Sequence, residues 1–265
     1  MLGKGLPNMG NTCYINSIVQ CLRYCEPFVQ LLISHDGRAD KVTHFVELLY
    51  AGATNETLHA FVRGLAASNS EFRLYRQCDA HELYLYLIDT FFTQYTKYHN
   101  PFEGQFESHI TFDECDHVST SKYPFISLSV EMDNTIQSVS SLITHFREPE
   151  SMTDLVECEQ CQRKRTFTKQ LDVAKTPDVL VIHLKRFRGL RKNNTEVILD
   201  ETLVVNKTKY RLFNVCNHSG GMAGGHYTAL CRKRNNSYVL CNDDQVYDSS
   251  QQNRSSYAYI LFYVK

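Results

Sequence analysis

The chain has 265 residues, 43% hydrophobic and 22% charged, and its 28 Lys plus Arg against 29 Asp plus Glu leave a net charge of -1. That length supports one large domain or two small ones around a real core, and the balance excludes a disordered, collagen-like or fibrous chain. No global positive field exists to hold nucleic acid by its phosphates, the longest apolar runs (179–184 and 259–264) are too short to span a bilayer, and the first ten residues lack a signal-like apolar core.

In chain order, the first hundred residues read as helical. Residues 13–26 place Ile15, Ile18, Val19 and Leu22 at helical spacing, and Pro27 predicts a break near Glu26. Further helices are predicted over 41–50, 56–66 and 79–98; in the last, Ala80, Leu83, Leu87 and Phe91 form one stripe. After Pro101 the pattern turns short and alternating, predicting strands over 108–112, 118–121, 125–131, 165–173 and 179–187, with a short helix over 137–146. Strands continue over 197–199, 209–215, 226–232, 238–241 and 257–264, and the four glycines in 220–225 predict a loop. A helical front and a β-rich back make the fold class α+β.

Ten cysteines are spread along the chain. A chain this long needs no disulfide staples, and several of the ten lie in apolar runs where free Cys acts as a small hydrophobe. Asn-x-Ser/Thr tripeptides at 55–57 and 217–219 matter only in a secreted protein. The expected compartment is cytosolic or nuclear.

Cys13 follows Gly10-Asn11-Thr12 and opens an amphipathic helix. A helix N-terminus favours the thiolate, the nucleophilic form of cysteine, although an arbitrary Cys is more often a buried small hydrophobe. A nucleophilic Cys needs a base and an orienter for that base. Of eleven His, His183 reads as a satisfied core residue. His226 leaves the glycine-rich segment, and His218 borders it as the rival base. Asn242-Asp243-Asp244 ends a later apolar strand, either as a solvated turn or as the third member of a Cys, His, Asn order. If residues 232–236 connect a hairpin with Cys231 facing Ser237, His226 lies directly opposite Asn242, on one face, whereas a one-residue shift places Asp243 opposite His226 and turns the faces over.

Six segments together resemble the ubiquitin-specific proteases. Gly5-Leu6-Pro7-Asn8-Met9-Gly10-Asn11-Thr12-Cys13-Tyr14-Ile15-Asn16-Ser17 is similar to their Cys box, Ser219-Gly220-Gly221 through Gly225-His226-Tyr227-Thr228-Ala229 to their His box, and Asn242-Asp243 followed by Val246 to the box of the third member. Gln77-Cys78-Asp79-Ala80-His81-Glu82-Leu83, Phe102-Glu103-Gly104-Gln105 and the run 177–187 resemble the ubiquitin-contacting helix start, the entry to the fingers and a palm strand. The likeness runs from residue 5 to 263, in family order. Tyr238 stands where the family often has Trp, and Cys78 replaces a common second Gln.

The resemblance implies one papain-like catalytic domain over 1–265, with a helical thumb (about 1–100), β fingers (about 102–175) and a β palm (about 176–265). It implies a thiol-dependent deubiquitinase that cuts after the C-terminal glycine of ubiquitin, acting as a monomer on ubiquitin and ubiquitinated proteins, with no nucleic-acid or membrane partner. Its alternatives are an inactive ubiquitin-binding module and a protease for another ubiquitin-like modifier. By residue-for-residue likeness, Cys13 is the nucleophile, His226 the base and Asn242 its orienter. Asn8 and the Cys13 N–H hold the oxyanion, Asp243 is a neighbour adding negative potential or holding water there, and Asp79 and Glu82 face the basic tail of ubiquitin. Members often carry two Cys-x-x-Cys knuckles for zinc at the fingertips. Here the second survives as Cys158 and Cys161, while the first keeps Cys115 but has Phe112 three residues before it. Structural zinc takes four protein ligands and His117 departs from the knuckle spacing. The expectation is therefore no metal and no cofactor, with Phe112 as an apolar plug beside neutral thiols.

Overall fold

The computed structural model describes residues 4–33, 54–115, 117–189, 191–221 and 224–265. Four helices come first or nearly so: α1 (Cys13–Arg23), α2 (Glu26–Ile33), α3 (Asn55–Ser68) and α4 (Ala80–Gln94), with α5 (Val139–Phe146) among the strands. The chain breaks at Tyr24 and Cys25, so Pro27 sits in the first turn of α2, where its missing N–H costs no helical bond. Thr54 caps α3 by accepting from the Thr57 N–H. The predicted helix over 41–50 lies outside the described residues.

The strands are β1 (Gly104–Phe112), β2 (Val118–Phe125), β3 (Leu128–Glu131), β4 (Gln137–Ser138), β5 (Glu150–Glu157), β6 (Lys164–Lys175), β7 (Val179–Lys185), β8 (Phe187–Arg188), β9 (Arg191–Lys192) and β10 (Val197–Ile198). They continue as β11 (Thr202–Val205), β12 (Thr208–Gly221), β13 (Gly224–Arg232), β14 (Tyr238–Asn242), β15 (Gln245–Ser249), β16 (Arg254–Ser255) and β17 (Ala258–Val264). The large sheet runs β15-β14-β13-β12-β17-β7-β3, with β11 paired to β12; a separate sheet runs β2-β1-β6-β5. The fold is α+β, as expected. β5 was not predicted: Glu150 to Glu157 is mostly exposed and carries no alternation, and only its pairing with β6 makes it a strand.

Both faces of the large sheet are covered, which is why its strands read as continuous apolar runs. Val179 and Val181 pack with the helices α1 to α4, while Leu180, Ile182 and Leu184 pack on the opposite side with Val139, Leu142 and Ile143 of α5. α1 is buried along its whole length, including Asn16, Ser17, Gln20 and Arg23. Three of those polar side chains, Asn16, Gln20 and Arg23, fasten the N-terminal segment. Gln20 Nε2 and Arg23 Nη1 donate to the Lys4 carbonyl at 3.0 and 3.2 Å, and Asn16 Nδ2 donates to the Leu6 carbonyl at 3.1 Å.

The glycines of 220–225 are not a loop. β12 runs to Gly221 and β13 starts at Gly224, with Gly220 facing Gly225. Gly225 has no room for a side chain: a Cβ there would lie 2.1 Å from His218 Nε2. Glycine therefore keeps the two backbones and the His218 ring in contact rather than breaking the strands.

Arg186 is fully buried, which nothing in the run 177–187 signalled. Its guanidinium donates to the carbonyls of Ala258 (2.6 Å), Asn193 (3.0 Å), Thr195 (2.9 Å) and Ser255 (3.2 Å), and burial lowers its pKa to about 10. Arg186→Ala leaves four acceptors without this donor, and an unpaired buried group costs about 1–3 kcal/mol. The expected result is a loss of at least about 3 kcal/mol of unfolding free energy, read from urea denaturation midpoints at constant slope.

Candidate active site

Cys13 is the first residue of α1 and is 3% exposed. Backbone groups of Tyr227, Tyr14 and Cys13 itself hydrogen-bond to its sulfur and favour the thiolate. Burial, aided by the negative charge of Asp243, outweighs them and raises the thiol above its ordinary value. The helix start by itself therefore does not produce a thiolate, contrary to the sequence expectation. Among the described residues no hydrogen bond joins Cys13 to His226, so the sulfur stands as a neutral thiol in this geometry.

His226 Nε2 lies 2.6 Å from Asn242 Oδ1. The amide oxygen only accepts, so Nε2 carries the proton and Nδ1 is the free basic atom. The pairing expected from the hairpin is correct in its partners and wrong in its register. Arg232 faces Tyr238 and Ala229 faces Cys241, so the frame is displaced by two residues from Cys231 facing Ser237. The turn itself is 233–237, closed by Lys233 N–H to the Ser237 carbonyl at 2.8 Å. A displacement of two keeps every side chain on its face. Asn242 then meets His226 diagonally along the strands, within reach of two extended side chains.

His218, the rival base, is 4% exposed in the next strand, where it faces Tyr227, and burial lowers its pKa to about 4. His183 is not a satisfied core residue. Its Nδ1 meets Ser129 Oγ at 3.0 Å, but its Nε2 is buried with no partner among the described residues. Its ring stacks on His81 at 3.9 Å, and burial holds the two imidazoles neutral, with pKa values lowered to about 3 and about 4.

The Asn8 amide is locked at both ends. Its Oδ1 accepts from the backbone N–H groups of Gly10 (3.0 Å) and Thr12 (3.2 Å), and its Nδ2 donates to Asp243 Oδ2 at 2.9 Å. Asp243 is held in turn by Asn16 Nδ2 on Oδ1 at 2.8 Å and by the Leu6 N–H on its carbonyl at 2.8 Å. Gly5 permits this crossing, because a Cβ there would sit 2.2 Å from the Asp244 backbone. One Nδ2 proton of Asn8 remains for another acceptor. Asp243 thus acts on Asn8, and Asn242 alone of the pair engages His226.

A cavity of about 380 Å³ is lined by Gln77, Asp79, Glu82, His183, Tyr227 and Tyr259 among others, and Tyr227, the residue after His226, joins it to the Cys13 sulfur through its backbone. Asp79 is the N-cap of α4, accepting from the N–H groups of His81 (2.6 Å) and Glu82 (3.2 Å), and it also accepts from the Tyr259 hydroxyl. Partial burial, then the neighbouring Asp79, raises the Glu82 carboxyl. Asp79 therefore caps the helix, Glu82 stands in its first turn, and both line the cavity. Gln77 opens the motif 77–83, and nothing in its residue type signals the role the structure gives it. Its amide makes two bonds to Gly225, Nε2 to the carbonyl and Oε1 from the N–H, both at 3.1 Å, which clamp the strand just before His226. Tyr259 was missed entirely, since an aromatic in an apolar strand reads as core.

The sulfurs of Cys115, Cys158 and Cys161 lie within 4.8 Å of one another, far from this site in the chain. Phe112 packs against Cys158 and Phe167, and the His117 ring stacks on Phe112 at 6.2 Å. Among the described residues the set stops at three donors, which does not fit a closed tetrahedral zinc site.

A family model described as ubiquitin carboxyl-terminal hydrolase matches residues 4–263. Ubiquitin carboxyl-terminal hydrolase 23 of Arabidopsis thaliana is 27% identical over 100% of this chain and 36% of its own length. Ubiquitin carboxyl-terminal hydrolase Usp2 of Drosophila melanogaster is 27% identical over 98% of this chain and 34% of its own. The chain thus spans about a third of the length of these relatives. Among solved structures, the SAGA Ubp8/Sgf11/Sus1/Sgf73 DUB module bound to ubiquitin aldehyde contains a chain that superposes with a TM-score of 0.85 at 26% identity, covering 98% of this chain and 69% of that one. A variant of the same module, bound to monoubiquitin, gives 0.84 at 27% identity, covering 98% and 68%.

Proposed function

The chain belongs to the ubiquitin carboxyl-terminal hydrolase family, and on that premise we propose that it is a thiol-dependent deubiquitinase cleaving after the C-terminal glycine of ubiquitin. The observation that carries the reading is the pair of tethers around Cys13: His226 fixed by Asn242 and Asn8 fixed by Asp243. The large sheet and its helices form palm and thumb, and the separate sheet the fingers, within one domain.

Nδ1 of His226 takes the Cys13 proton. Because the free thiol is raised, this transfer belongs to the complex, where bound substrate excludes water and brings the imidazole against the sulfur. The thiolate attacks the terminal glycine carbonyl. The free Nδ2 proton of Asn8 and the Cys13 N–H receive the oxyanion. His226 then protonates the departing amine, and water hydrolyses the thioester. The cavity lined by Tyr227 takes the tail of ubiquitin, with Asp79 and Glu82 opposite its basic residues. Ten free cysteines suit a reducing compartment, cytosol or nucleus, and among the described residues no helix is long and apolar enough to cross a membrane. The expected partners are ubiquitin and ubiquitinated proteins, met by a monomer and without nucleic acid.

A ubiquitin C-terminal fluorogenic substrate tests the reading, beside electrophilic probes built on ubiquitin and on other diglycine-ended modifiers. Turnover together with labelling of Cys13 by the ubiquitin probe is expected. Binding without turnover means an inactive binding module, and labelling only by another probe means a different modifier. Asn242→Ala should lower kcat about 10- to 100-fold, part of the roughly 10²–10⁴ a positioned base supplies, with KM little changed.

A further inference from the structure

Cys115 lies just beyond β1 in the turn to β2, and Cys158 and Cys161 lie in the turn between β5 and β6, so two hairpin ends bring three thiols together at one tip of the four-stranded sheet. The Cys115 and Cys158 sulfurs are 3.8 Å apart. Cys158 is fully buried against Phe112 and Phe167, whereas Cys115 and Cys161 are half-buried and open to solvent on one side. Arg165 is fixed over this group. Its Nε donates to Cys161 Sγ at 3.4 Å, while its Nη1 donates to the Asp113 carbonyl at 3.0 Å and pairs with Glu114 at 2.9 Å. A guanidinium held on three sides against a half-open sulfur is a device for stabilising a thiolate.

We propose that Cys161 is a peroxide-sensitive modification site, oxidised to a sulfenic acid and resolved by Cys115 or Cys158 into a disulfide at the sheet tip. The Cys161 thiolate attacks one oxygen of a hydroperoxide. The O–O bond breaks, the other oxygen leaves as hydroxide or alkoxide and takes up a proton, and the sulfur is oxidised by two electrons. A neighbouring thiol then attacks the Cys161 sulfur, the S–S bond forms, the S–O bond breaks, and water leaves with that thiol's proton. The sum is two thiols and one hydroperoxide giving one disulfide, water and an alcohol, or a second water when the oxidant is hydrogen peroxide.

The surroundings divide these roles. The Arg165 hydrogen bond, then the Arg163 backbone, lowers the Cys161 pKa to about 7, which corrects the expectation of uniformly neutral thiols at this tip. At Cys115 a His117 backbone bond acts the same way, but burial and hydrogen bonds with Cys158 and Cys161 raise the thiol overall, leaving it protonated until it resolves. Cys13 is the control within the same chain. It is 3% exposed and its thiol is raised, so it reacts later. Phe112 packs against Cys158 in the same cluster, and among the described residues no fourth donor joins the three sulfurs.

Reduced full chain is treated with hydrogen peroxide in chelator at neutral pH, quenched with an alkylating agent, and read by intact mass and peptide mapping. A disulfide from Cys161 to Cys115 or Cys158 is expected while Cys13 still alkylates. Cys161→Ser removes the fast phase, and the double variant Cys115→Ser with Cys158→Ser stops at a sulfenic acid that dimedone traps. Arg165→Gln slows the step severalfold, because the thiolate fraction falls by more than the higher nucleophilicity of a less acidic thiol returns. Oxidation of Cys13 before the tip overturns the proposal. So does an unchanged rate in Arg165→Gln, or one equivalent of zinc that survives purification without chelator and shields the three thiols. The readout is mass and not turnover, so it stands or falls apart from the deubiquitinase reading.

Discussion

Cys13→Ala is expected to abolish hydrolysis of a ubiquitin C-terminal substrate, a loss on the order of 10⁴- to 10⁶-fold as for other enzymes deprived of their nucleophile. Ubiquitin affinity should stay within about threefold of wild type, since a nucleophile that only does chemistry contributes little to ground-state binding. The side chain is a small buried group at the first position of α1, and alanine fits that position as a good helix former. The variant should therefore fold, and titration with labelled ubiquitin separates lost chemistry from lost structure. Residual turnover above the uncatalysed rate would mean that another residue attacks the carbonyl.

Asn8→Ala should lower kcat about 100- to 1000-fold with KM nearly unchanged, the cost of removing one oxyanion donor. Asp243→Ala should reproduce part of that loss, because Asp243 Oδ2 is what aims Asn8 Nδ2. The two changes act on one device, so the double variant should be little slower than Asn8→Ala alone, and the coupling energy from the cycle measures the tether. Additive losses would show that Asp243 acts elsewhere, for instance by directing water. A loss in Asp243→Ala that exceeds the loss in Asn242→Ala would shift the weight of the site from orienting His226 to holding Asn8.

The legible parts of this protein were those written in local pattern. Ile15, Ile18, Val19 and Leu22 gave α1, and Ala80, Leu83, Leu87 and Phe91 gave α4, since each stripe can be read without knowing what covers it. The alternating and apolar runs after Pro101 gave most strands, and their order after the helices gave the α+β class. Strands whose only reason is a partner were not legible. β5 is polar and exposed, and it exists because β6 offers it a ladder. The glycines of 220–225 read as a loop because glycine usually punctuates, yet Gly220, Gly221, Gly224 and Gly225 are strand residues, and at Gly225 the His218 ring occupies the space where a side chain would be.

The site divides along the same line. Residue types and their order along the chain determined which side chains are chemically able to act: one Cys at a helix start, one His beside glycines, one Asn at a strand end. Only the tertiary structure decided how they meet. Asn242 reaches His226 across a diagonal, because the turn lies one residue further along than counted and a two-residue displacement preserves faces. Asp243, adjacent in sequence, points the other way and holds Asn8, from a strand end more than two hundred residues later in the chain. Thiol chemistry was decided there too. A helix start favours a thiolate at Cys13, but burial outweighs it, while Cys161, with no signal beyond its knuckle spacing, is activated by an arginine four residues on. A pKa is set by desolvation and by the few groups within a few ångströms, and neither is a property of the local sequence.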